Sequence, residues 1–505
     1  TVNANGLPFS GPGAIDKWLP LDGAHDIYAV TVQGVVDEPA GSVPLLASRL
    51  QTRCVDDRCN GDYVVLRHVR CGDVVLVVVV RRVHVPKLTN VEVSTCPSQI
   101  SAVAGERGGA GIALRYLNTS FAFVAMHLPG QPQRHDLRRY ICAEVLSTMQ
   151  LGDTDCDVCN DFDNVFVCGD LNFPVAARQH KQLRAALTAA ADSAAAADAN
   201  EERNAECRQA VAAAVSAADV LTVERKANRM LVGFSEGEID FAPTAPIDPA
   251  DPAEALWIDA PDKTPIGNGV TRYSGRVLWR SRRSEDVQCL AYEPSYAWAA
   301  SGHRPVHAEF AVKCVRQGLT VYAAPPGHEG LKAAAPTGQR VVLHLSDIVL
   351  RRTLEADVPR ECDVVLRFTS PGAALFDPVE VSDPTCVQSG KWIYHDVECV
   401  ARTHSLPLVA ATSVAVAVLQ VPRSAVRGAA GPTPASPTAS QVKVMMSGAI
   451  HLTDELLAGA AKGNTEATDD CTKEVTIPMQ RGGQFITMAT LRVGSSIQQQ
   501  QQTAQ

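Results

Sequence analysis

A short polar run at the end of an apolar strand is the part of this sequence best suited to chemistry. The residues VFVCGDLNF place Asp170 and Asn172 directly after four apolar residues, and SGHRPVHAEF places His303 after a turn. A carboxylate and an amide held at a strand end can orient a water molecule and a phosphate oxygen, and a facing imidazole can assist them. Each run alone is a weak signal, because Asp and Asn are also common turn residues. Their order along the chain is far more specific.

The order of several such runs resembles one family of phosphatases. The chain reads TVNANG, WLPLDGAHDIYAVTVQGVV, GERGGAGIALRYLNTSFAFVAMHL, VFVCGDLNF, LVGFSEGEIDFAPT, TRYSGRVLWR and SGHRPVHAEF. This order is similar to that of the inositol polyphosphate 5-phosphatases of the endonuclease/exonuclease/phosphatase superfamily, over residues 1–312. The resemblance implies a four-layered α/β sandwich, the deoxyribonuclease-like fold, with the site at one end of two packed sheets. The sequence has no initiator Met and begins inside the family's first strand, so we expect a longer parent protein.

The resemblance also implies roles for individual residues. Asn3 matches the Asn on the metal side of the first strand, and His127 matches the His that contacts phosphate. Asp170 and Asn172 match the pair that orients water, and His303 matches the catalytic His. The same side chains also suit a structural role, because buried strand ends need hydrogen-bond partners and Asn favours turns.

Three glycines stand where the family has acids. The metal-binding Glu falls at Gly34, the acid that orients the catalytic imidazole at Gly275, and its partner acid at Gly302. Asp170 is then the only core carboxylate, whereas Mg²⁺ is normally held by one or two carboxylates together with substrate phosphates. Loss of an orienting acid costs about 10⁴-fold in rate in a serine protease. We therefore expect an inactive site with no bound metal, and Mg²⁺ as a cofactor only if some activity remains.

The residues expected to hold a substrate are altered as well. Where the family continues from Pro-Thr to Tyr-Lys-Tyr, this chain continues with Ala245 and Pro246. Arg107 lies in the loop GERGG, where the family has a Lys, and Arg276 is the motif Arg of YSGR. These two arginines are the candidate substrate contacts, and the loss of the Lys predicts weakened recognition of phosphorylated inositol rings.

The composition fits a large soluble protein and argues against a general nucleic-acid binder. The chain has 505 residues, 46% of them hydrophobic, and a net charge of -9. This length can bury more than one core, and nucleic-acid binding usually needs a basic face. The longest apolar runs, at residues 74–80 and 406–421, are shorter than the ~20 residues of a membrane helix and are interpreted as buried strands. The 15 cysteines have no framework spacing, which favours reduced thiols and the cytoplasm.

Residues 181–228 form an Ala-rich insertion that is longer than the family requires. Alanine has the highest helix propensity, so the insertion predicts a long helix or a helical hairpin that projects from the sandwich. Such an element is interpreted either as a docking surface or as a solvated spacer.

The pattern changes after residue 312. A Gly-, Pro- and Ala-rich linker at residues 313–340 leads to about seven alternating strands at residues 341–495, which predicts an antiparallel β-sandwich. The strand order resembles the calcium- and phospholipid-binding module of protein kinase C, in a form that we expect to be calcium-independent; an immunoglobulin-like sandwich is the alternative. Residues 428–441 are interpreted as a flexible insert, and residues 496–505 as a Gln-rich tail that need not fold.

Three functional hypotheses remain open. The first is a catalytically inactive 5-phosphatase homologue that is a structural or interaction component of a larger assembly, with other proteins as partners. The second is a weak or rewired Mg²⁺-dependent phosphoinositide 5-phosphatase, and the third is a module that binds phosphoinositide headgroups. We expect no nucleic-acid partner and no transmembrane segment, and a cytoplasmic location. A cytoskeletal or ciliary location is an analogy with where some 5-phosphatases work.

Overall fold

In a computed structural model, the chain forms two compact units. The first comprises Thr1–Leu151 and Asn164–Cys314, and the second comprises Gly152–Asp163 and Val315–Gln505. The structure describes residues 1–6, 18–19, 24–35, 45–55, 62–99, 107–152, 156–196, 201–248, 251–255, 270–296, 301–314, 340–351, 362–370, 376, 378–382, 386–388, 391–394, 396–401, 409, 413–422, 443–452, 455–462 and 472–498. The insert predicted at 428–441, most of the linker 313–340 and most of the tail 496–505 lie outside these ranges.

Two packed sheets form the centre of the first unit. The strands β1 (Val2–Asn3), β2 (Ile27–Gln33), β3 (Tyr63–Cys71) and β4 (Val74–Arg81) pair in the order β1-β2-β4-β3. The strands β5 (Leu88–Pro97), β6 (Gly108–Tyr116), β7 (Thr119–His127), β8 (Asn164–Pro174), β9 (Ser235–Glu236) and β12 (Arg272–Ser281) pair in the order β5-β6-β7-β8-β12-β9. Two further pairs are β10 (Ile247–Asp248) with β11 (Asp251–Ala255), and β13 (Val287–Pro294) with β14 (Val306–Val312).

Helices cover both outer faces of these sheets. Helix α1 (Leu45–Val55) packs through Leu46 and Leu50 against the first sheet. The second sheet is covered by α2 (His135–Thr148), α4 (His180–Ala195), α5 (Glu201–Ala218) and α6 (Val220–Lys226). The order of layers is therefore helix, sheet, sheet, helix, and the predicted four-layered α/β fold is confirmed. None of the helices in the described ranges is both long and apolar enough to cross a membrane.

Strand β4 shows why the sequence produces these layers. Its apolar run is buried on both faces: Val75, Val77 and Val79 pack towards α1, and Val74, Leu76, Val78 and Val80 pack between the two sheets. Side chains alternate across a strand, so a strand with two covered faces needs a continuous apolar run rather than an alternating one. The run at residues 74–80 is the buried strand that the sequence indicated.

The Ala-rich insertion folds as the hairpin of α4 and α5, followed by α6. Leu183 of α4 and Val211 and Val215 of α5 join a core cluster with Val175 and Tyr273 of the second sheet. The insertion is therefore part of the outer helical layer through a few buried side chains, and the rest of its surface is largely exposed. Its interpretation as a docking surface or as a spacer stays a prediction.

The second unit is built from antiparallel strands. These are β15 (Arg340–Arg351), β16 (Cys362–Thr369), β17 (Val379–Ser382), β18 (Cys386–Gln388), β19 (Lys391–Tyr394), β20 (Val397–Val400), β21 (Ser413–Pro422), β22 (Lys443–His451), β23 (Lys473–Arg481) and β24 (Gln484–Gln498), with the short helix α7 (Ala458–Ala461). They pair in the order β17-β16-β21-β22-β23-β24-β15-β19-β18, and β20 also pairs with β15. Strands β22 and β23 are paired at Ser447 and Gln480. An isolated bridge joins Phe376 to Ala401. The sheet therefore closes almost completely around one apolar core, as expected for the predicted antiparallel domain.

A segment from well before residue 312 belongs to the second unit. Residues Gly152–Asp163 include the short helix α3 (Val158–Asp161). Cys156 packs with Ala415 and Ala417 on the face of β21 that points away from the core. Beside it, Asn160 Nδ2 donates to Ser447 Oγ (2.7 Å), and Asp157 Oδ2 accepts from the backbone N–H of Gly482 (2.9 Å). Local patterns did not indicate this segment, because its partners lie almost 300 residues later in the chain.

This buried polar cluster predicts the effect of removing Asn160. Replacement Asn160→Ala removes two buried hydrogen bonds, the one that Asn160 donates to Ser447 and the one that it accepts from Gln480, a loss of about 1–3 kcal/mol in total. We expect urea unfolding to show that loss, and the exposed Gln150→Ala serves as the control, with little change. Equal stability of the two variants would contradict a role for Gly152–Asp163 in the second unit.

Candidate functional site

The ends of several strands bring the predicted site residues together. Asn3 ends β1, His127 ends β7, and Asp170 lies in β8. Strands β7 and β8 are parallel, and their register places His127 directly beside Asp170. His303 lies in the loop before β14, and its ring reaches the same carboxylate. The four residues that the sequence singled out on separate runs therefore form one cluster.

Asp170 is the centre of this cluster. Its Oδ2 accepts a hydrogen bond of 2.6 Å from Asn3 Nδ2, and its Oδ1 accepts one of 3.0 Å from the backbone N–H of Asn172. His127 Nε2 and His303 Nε2 lie 3.8 and 3.9 Å from Oδ2. The carboxylate is only 1% exposed. Protein donors and imidazoles thus occupy both of its oxygens.

The environment of Asp170 keeps it ionised. Burial acts to raise the pKa of this carboxyl, but attraction to His127 and His303 and the hydrogen bond from Asn3 outweigh burial and lower the pKa to about 2. His303 shows the opposite balance, because burial lowers its pKa although Asp170 acts to raise it. The pair is therefore a fixed carboxylate next to an imidazole that favours its neutral form near neutral pH.

His127 has a second acidic neighbour that the sequence did not reveal. Asp73, in the turn between β3 and β4, places Oδ2 2.8 Å from His127 Nδ1. Arg107 Nη1 donates to the same Asp73 oxygen at 3.0 Å and also contacts the imidazole of His127. Asp73 follows a glycine in an ordinary hairpin turn, so no local pattern marked it. Arg107 does lie at the site, but its guanidinium is engaged by Asp73 and His127.

Asn172 ties three parts of the site edge together. It adopts a left-handed backbone conformation with a φ of 54°. Its Nδ2 donates to the Leu128 carbonyl at 2.9 Å, and Arg272, which the sequence also did not reveal, donates to its Oδ1. These bonds engage both the nitrogen and the oxygen of the side-chain amide, so Asn172 has a structural role at this edge, and its role in orienting water stays a prediction.

The backbone and the neighbouring atoms at residue 34 fit a glycine and no larger residue. Its φ is +67°, and a Cβ there would lie 2.5 Å from Asn3 Oδ1 and 2.9 Å from the backbone nitrogen of Asn5. Asn3 Oδ1 itself accepts a hydrogen bond of 2.8 Å from that nitrogen. A glutamate side chain at residue 34 therefore cannot enter the site without moving the backbone.

The two other glycines place no carboxylate at Nδ1 of His303. A Cβ at Gly275 would meet methyl groups of Val306 at 3.3 Å and Thr1 at 3.4 Å. A Cβ at Gly302 would meet the Ile247 carbonyl oxygen at an ordinary contact distance of 3.7 Å, but the φ of +77° would strain any residue other than glycine. His303 Nδ1 is buried, and no described residue hydrogen-bonds to it. That orphaned nitrogen is the one an orienting carboxylate would hold.

These residues do not fit a bound Mg²⁺. A site for this ion needs oxygen ligands, usually with one or two carboxylates. Both Asp170 oxygens and the Asn3 carbonyl oxygen accept hydrogen bonds within the protein. Across the described residues, no three His, Cys, Asp or Glu side chains are grouped as metal ligands.

The predicted substrate contact of Arg276 is corrected by the structure. In the register of β8 and β12, Gly275 lies opposite Asp170. Because side chains alternate along a strand, Arg276 points to the other face of the sheet. Arg276 is fully buried there and makes paired hydrogen bonds to Asp219 (3.0 and 3.1 Å) and Glu236 (2.7 and 2.8 Å). Asp219 also caps α6 through the N–H of Thr222. Arg276 therefore anchors the helical insertion to the sheet.

Comparison with known proteins agrees with this architecture. The family described as Endonuclease/Exonuclease/phosphatase family 2 matches residues 3–309. The chain therefore belongs to this family, and the resemblance to inositol polyphosphate 5-phosphatases found in the sequence is confirmed.

Individual relatives are distant. The chain is 26% identical over 341 residues to phosphatidylinositol 3,4,5-trisphosphate 5-phosphatase 2B of Danio rerio, which covers 62% of this chain and 24% of the relative. It is 26% identical over 363 residues to phosphatidylinositol polyphosphate 5-phosphatase type IV of Rattus norvegicus, which covers 69% of this chain and 49% of the relative. The chain thus spans a quarter to a half of the length of these two proteins.

Solved structures resemble the chain only loosely. An inositol polyphosphate 5-phosphatase domain of a synaptojanin, in complex with inositol (1,4)-bisphosphate and calcium ion, has a TM-score of 0.44 at 21% identity over 61% of this chain and 81% of that one. The ferrous NO complex of Cimex nitrophorin has a TM-score of 0.44 at 18% identity over 62% of this chain and 96% of that one. Neither likeness bears on activity.

Replacing Asp170 tests whether its charge supports the fold. The folded pKa of about 2 lies below the ordinary 3.8, so the stabilisation is complete above about pH 4 and is lost as the pH falls towards 2. We expect Asp170→Asn to lower the free energy of unfolding by about 2 kcal/mol at pH 7 and by less at pH 3. Urea unfolding at both pH values measures this. A difference that grows on acidification would contradict an ionised Asp170.

Replacing Arg276 tests its anchoring role. Arg276→Met leaves Asp219 and Glu236 buried without their cation, and breaking such a pair typically costs about 3–5 kcal/mol. The matched control is Arg229→Met, which removes an exposed arginine from Glu224 and should change the unfolding midpoint far less. Equal shifts in thermal unfolding for the two variants would argue against the buried cluster as an anchor.

Proposed function

We propose that this chain is a catalytically inactive member of its family that acts as a structural or interaction component of a larger assembly. The observation that carries the proposal is the state of Asp170. Its two oxygens are hydrogen-bonded to Asn3 and Asn172 rather than left open towards a metal or a water molecule. A group that is already satisfied within the protein is a poor base and a poor ligand.

The surroundings of His303 support the same proposal. An imidazole acts efficiently in proton transfer when a second group fixes its tautomer and stabilises its protonated form. Here methyl groups of Thr1 and Val306 lie beside Gly275, and burial lowers the pKa of His303. Protonation of this imidazole is disfavoured, which opposes a role as general acid.

Capacity to hold a phosphorylated substrate is also reduced. Arg107 is engaged by Asp73 and His127, and Arg276 is buried on the opposite face of the sheet. Ala245 and Pro246 follow the Pro-Thr motif, so no cation stands next to it in sequence. The two candidate substrate arginines therefore serve internal ion pairs.

One observation favours residual phosphatase activity as a second candidate. Asp170 stays ionised and lies 3.9 Å from His303 Nε2, so the core of a water-activating pair survives. Binding of phosphoinositide headgroups without turnover is a third candidate, supported by the names of the relatives and by the cations Arg107 and Arg272 near the site. Both candidates require that Asp170 or Arg107 breaks the hydrogen bonds that it makes within the protein.

Phosphate release separates these functions. Purified chain is incubated with 5-phosphorylated inositol phosphates and phosphoinositides in the presence of Mg²⁺. We expect no release above the background of the Asp170→Ala variant. Because Asp170 also supports the fold, the partly exposed His303→Ala is a second inactive control. The reversion Gly275→Asp/Gly302→Asp omits residue 34, where an added side chain would clash, and we expect it to stay inactive.

Release that needs Mg²⁺ and disappears in both Asp170→Ala and His303→Ala would overturn the proposal. It would mean that the missing acids are supplied from elsewhere. If turnover is absent but soluble inositol phosphates protect the chain against thermal unfolding, the headgroup-binding candidate gains support instead.

A further inference from the structure

The turn between β4 and β5 exposes apolar side chains in an unusual way. Residues Arg82–Lys87 form a 3₁₀ helix in which no residue is buried. Val83 is 61% exposed and Val85 is 36% exposed, and Pro86 beside them is also exposed. Single exposed apolar residues are ordinary, whereas these three lie together on one turn and form a small apolar patch. We call residues 82–87 the basic-apolar turn.

His84 connects this turn to the body of the first unit. Its Nε2 lies 2.8 Å from Asp26 Oδ1, and its Nδ1 lies 3.0 Å from Tyr116 Oη. The backbone N–H of Arg82 also donates to the carbonyl of Asp62 at 2.6 Å. The residue between the two valines is therefore bound to the body of the first unit, which presents Val83 and Val85 to solvent on either side.

Basic residues flank the apolar tip. Arg82 and Lys87 are exposed at the two ends of the turn, and Arg81 precedes it. The nearby carboxylate of Asp26 is engaged by His84 (2.8 Å) and Arg81 (3.5 Å), which offsets its charge. The local surface thus combines cations with an apolar centre on a chain whose net charge is -9.

The basic-apolar turn lies at the end of the first sheet away from the candidate site. In the pairing of β2 with β4, Ile27 lies opposite Val80, whereas Val32, two residues before Gly34 of the candidate site, lies opposite Val75. The two pairs are five residues apart, which is about 17 Å along the strands. A ligand of the turn therefore does not depend on the candidate site.

We propose that the basic-apolar turn docks on an anionic lipid surface. A convex tip of two valines and a proline is far smaller than the ~800 Å² that each partner buries in a stable protein interface. It does suit the interfacial layer of a bilayer, where apolar side chains enter the acyl boundary and Lys and Arg remain at anionic headgroups. The charge of the flank selects anionic over zwitterionic lipid.

Vesicle sedimentation with the full chain tests this docking. Vesicles contain phosphatidylcholine alone or with roughly a third phosphatidylserine, and no phosphoinositide. We expect binding to the anionic vesicles that weakens as salt is raised. Val83→Asp/Val85→Asp should reduce the bound fraction about tenfold, whereas Val223→Asp, at a 43% exposed valine of α6, should not. Arg82→Glu/Lys87→Glu should act similarly, in contrast to Lys181→Glu/Arg184→Glu on the exposed face of α4.

Equal binding to both vesicle types, or equal loss in the turn variants and their controls, would overturn the proposal. Binding to soluble polyglutamate without binding to vesicles would also overturn it, and would point to an acidic protein partner. Thermal midpoints show whether each variant is folded. If Val83→Asp/Val85→Asp unfolds the chain, the variant Val83→Ser/Val85→Ser is used in its place. It should also lower the bound fraction, and Val223→Ser is its control.

Discussion

The hydrogen bond from the Asn3 amide to the Asp170 carboxylate is the interaction on which the site edge depends. It joins the first strand of one sheet to the central strand of the other, at 2.6 Å. A buried carboxylate is tolerated only where donors or cations compensate for its lost hydration. Here the donors belong to the protein, with two imidazoles at 3.8 and 3.9 Å. The charge of Asp170 therefore holds the two sheets together at the very position where it would otherwise serve chemistry.

The three glycines of the site differ in what their neighbours have become. Gly34 sits in a left-handed turn whose side-chain space is filled by Asn3 and Asn5, and Gly275 faces methyl groups. At Gly302 a Cβ would make only an ordinary contact of 3.7 Å with the Ile247 carbonyl oxygen, and the backbone there is left-handed as well. The backbone at Gly34 and Gly302 and the packing at Gly275 therefore each restrict what a larger side chain could do there. An acid placed at one of these positions adds a functional group without a prepared place to hold it.

Much of the first unit could be predicted from the sequence because its signals are local. The order of motifs indicated the family, and the unbroken apolar run of β4 indicated a strand covered on both faces. The roles of Asp73, Arg272 and Gly152–Asp163 depend on partners far away in the chain, so no local pattern could reveal them. The burial of Arg276 was within reach, because a residue next to a site residue in a strand points to the opposite face.

Asp170 and Arg276 show why surviving motif residues are weak evidence for catalysis. They lie on opposite faces of the same pair of strands, and both are buried and fully engaged by hydrogen bonds. Losing either one leaves charged or polar partners buried without compensation, a penalty of several kcal/mol in proteins that are stable by only about 5–15 kcal/mol. Stability alone is therefore sufficient to retain both residues, whether or not the chain turns over a substrate.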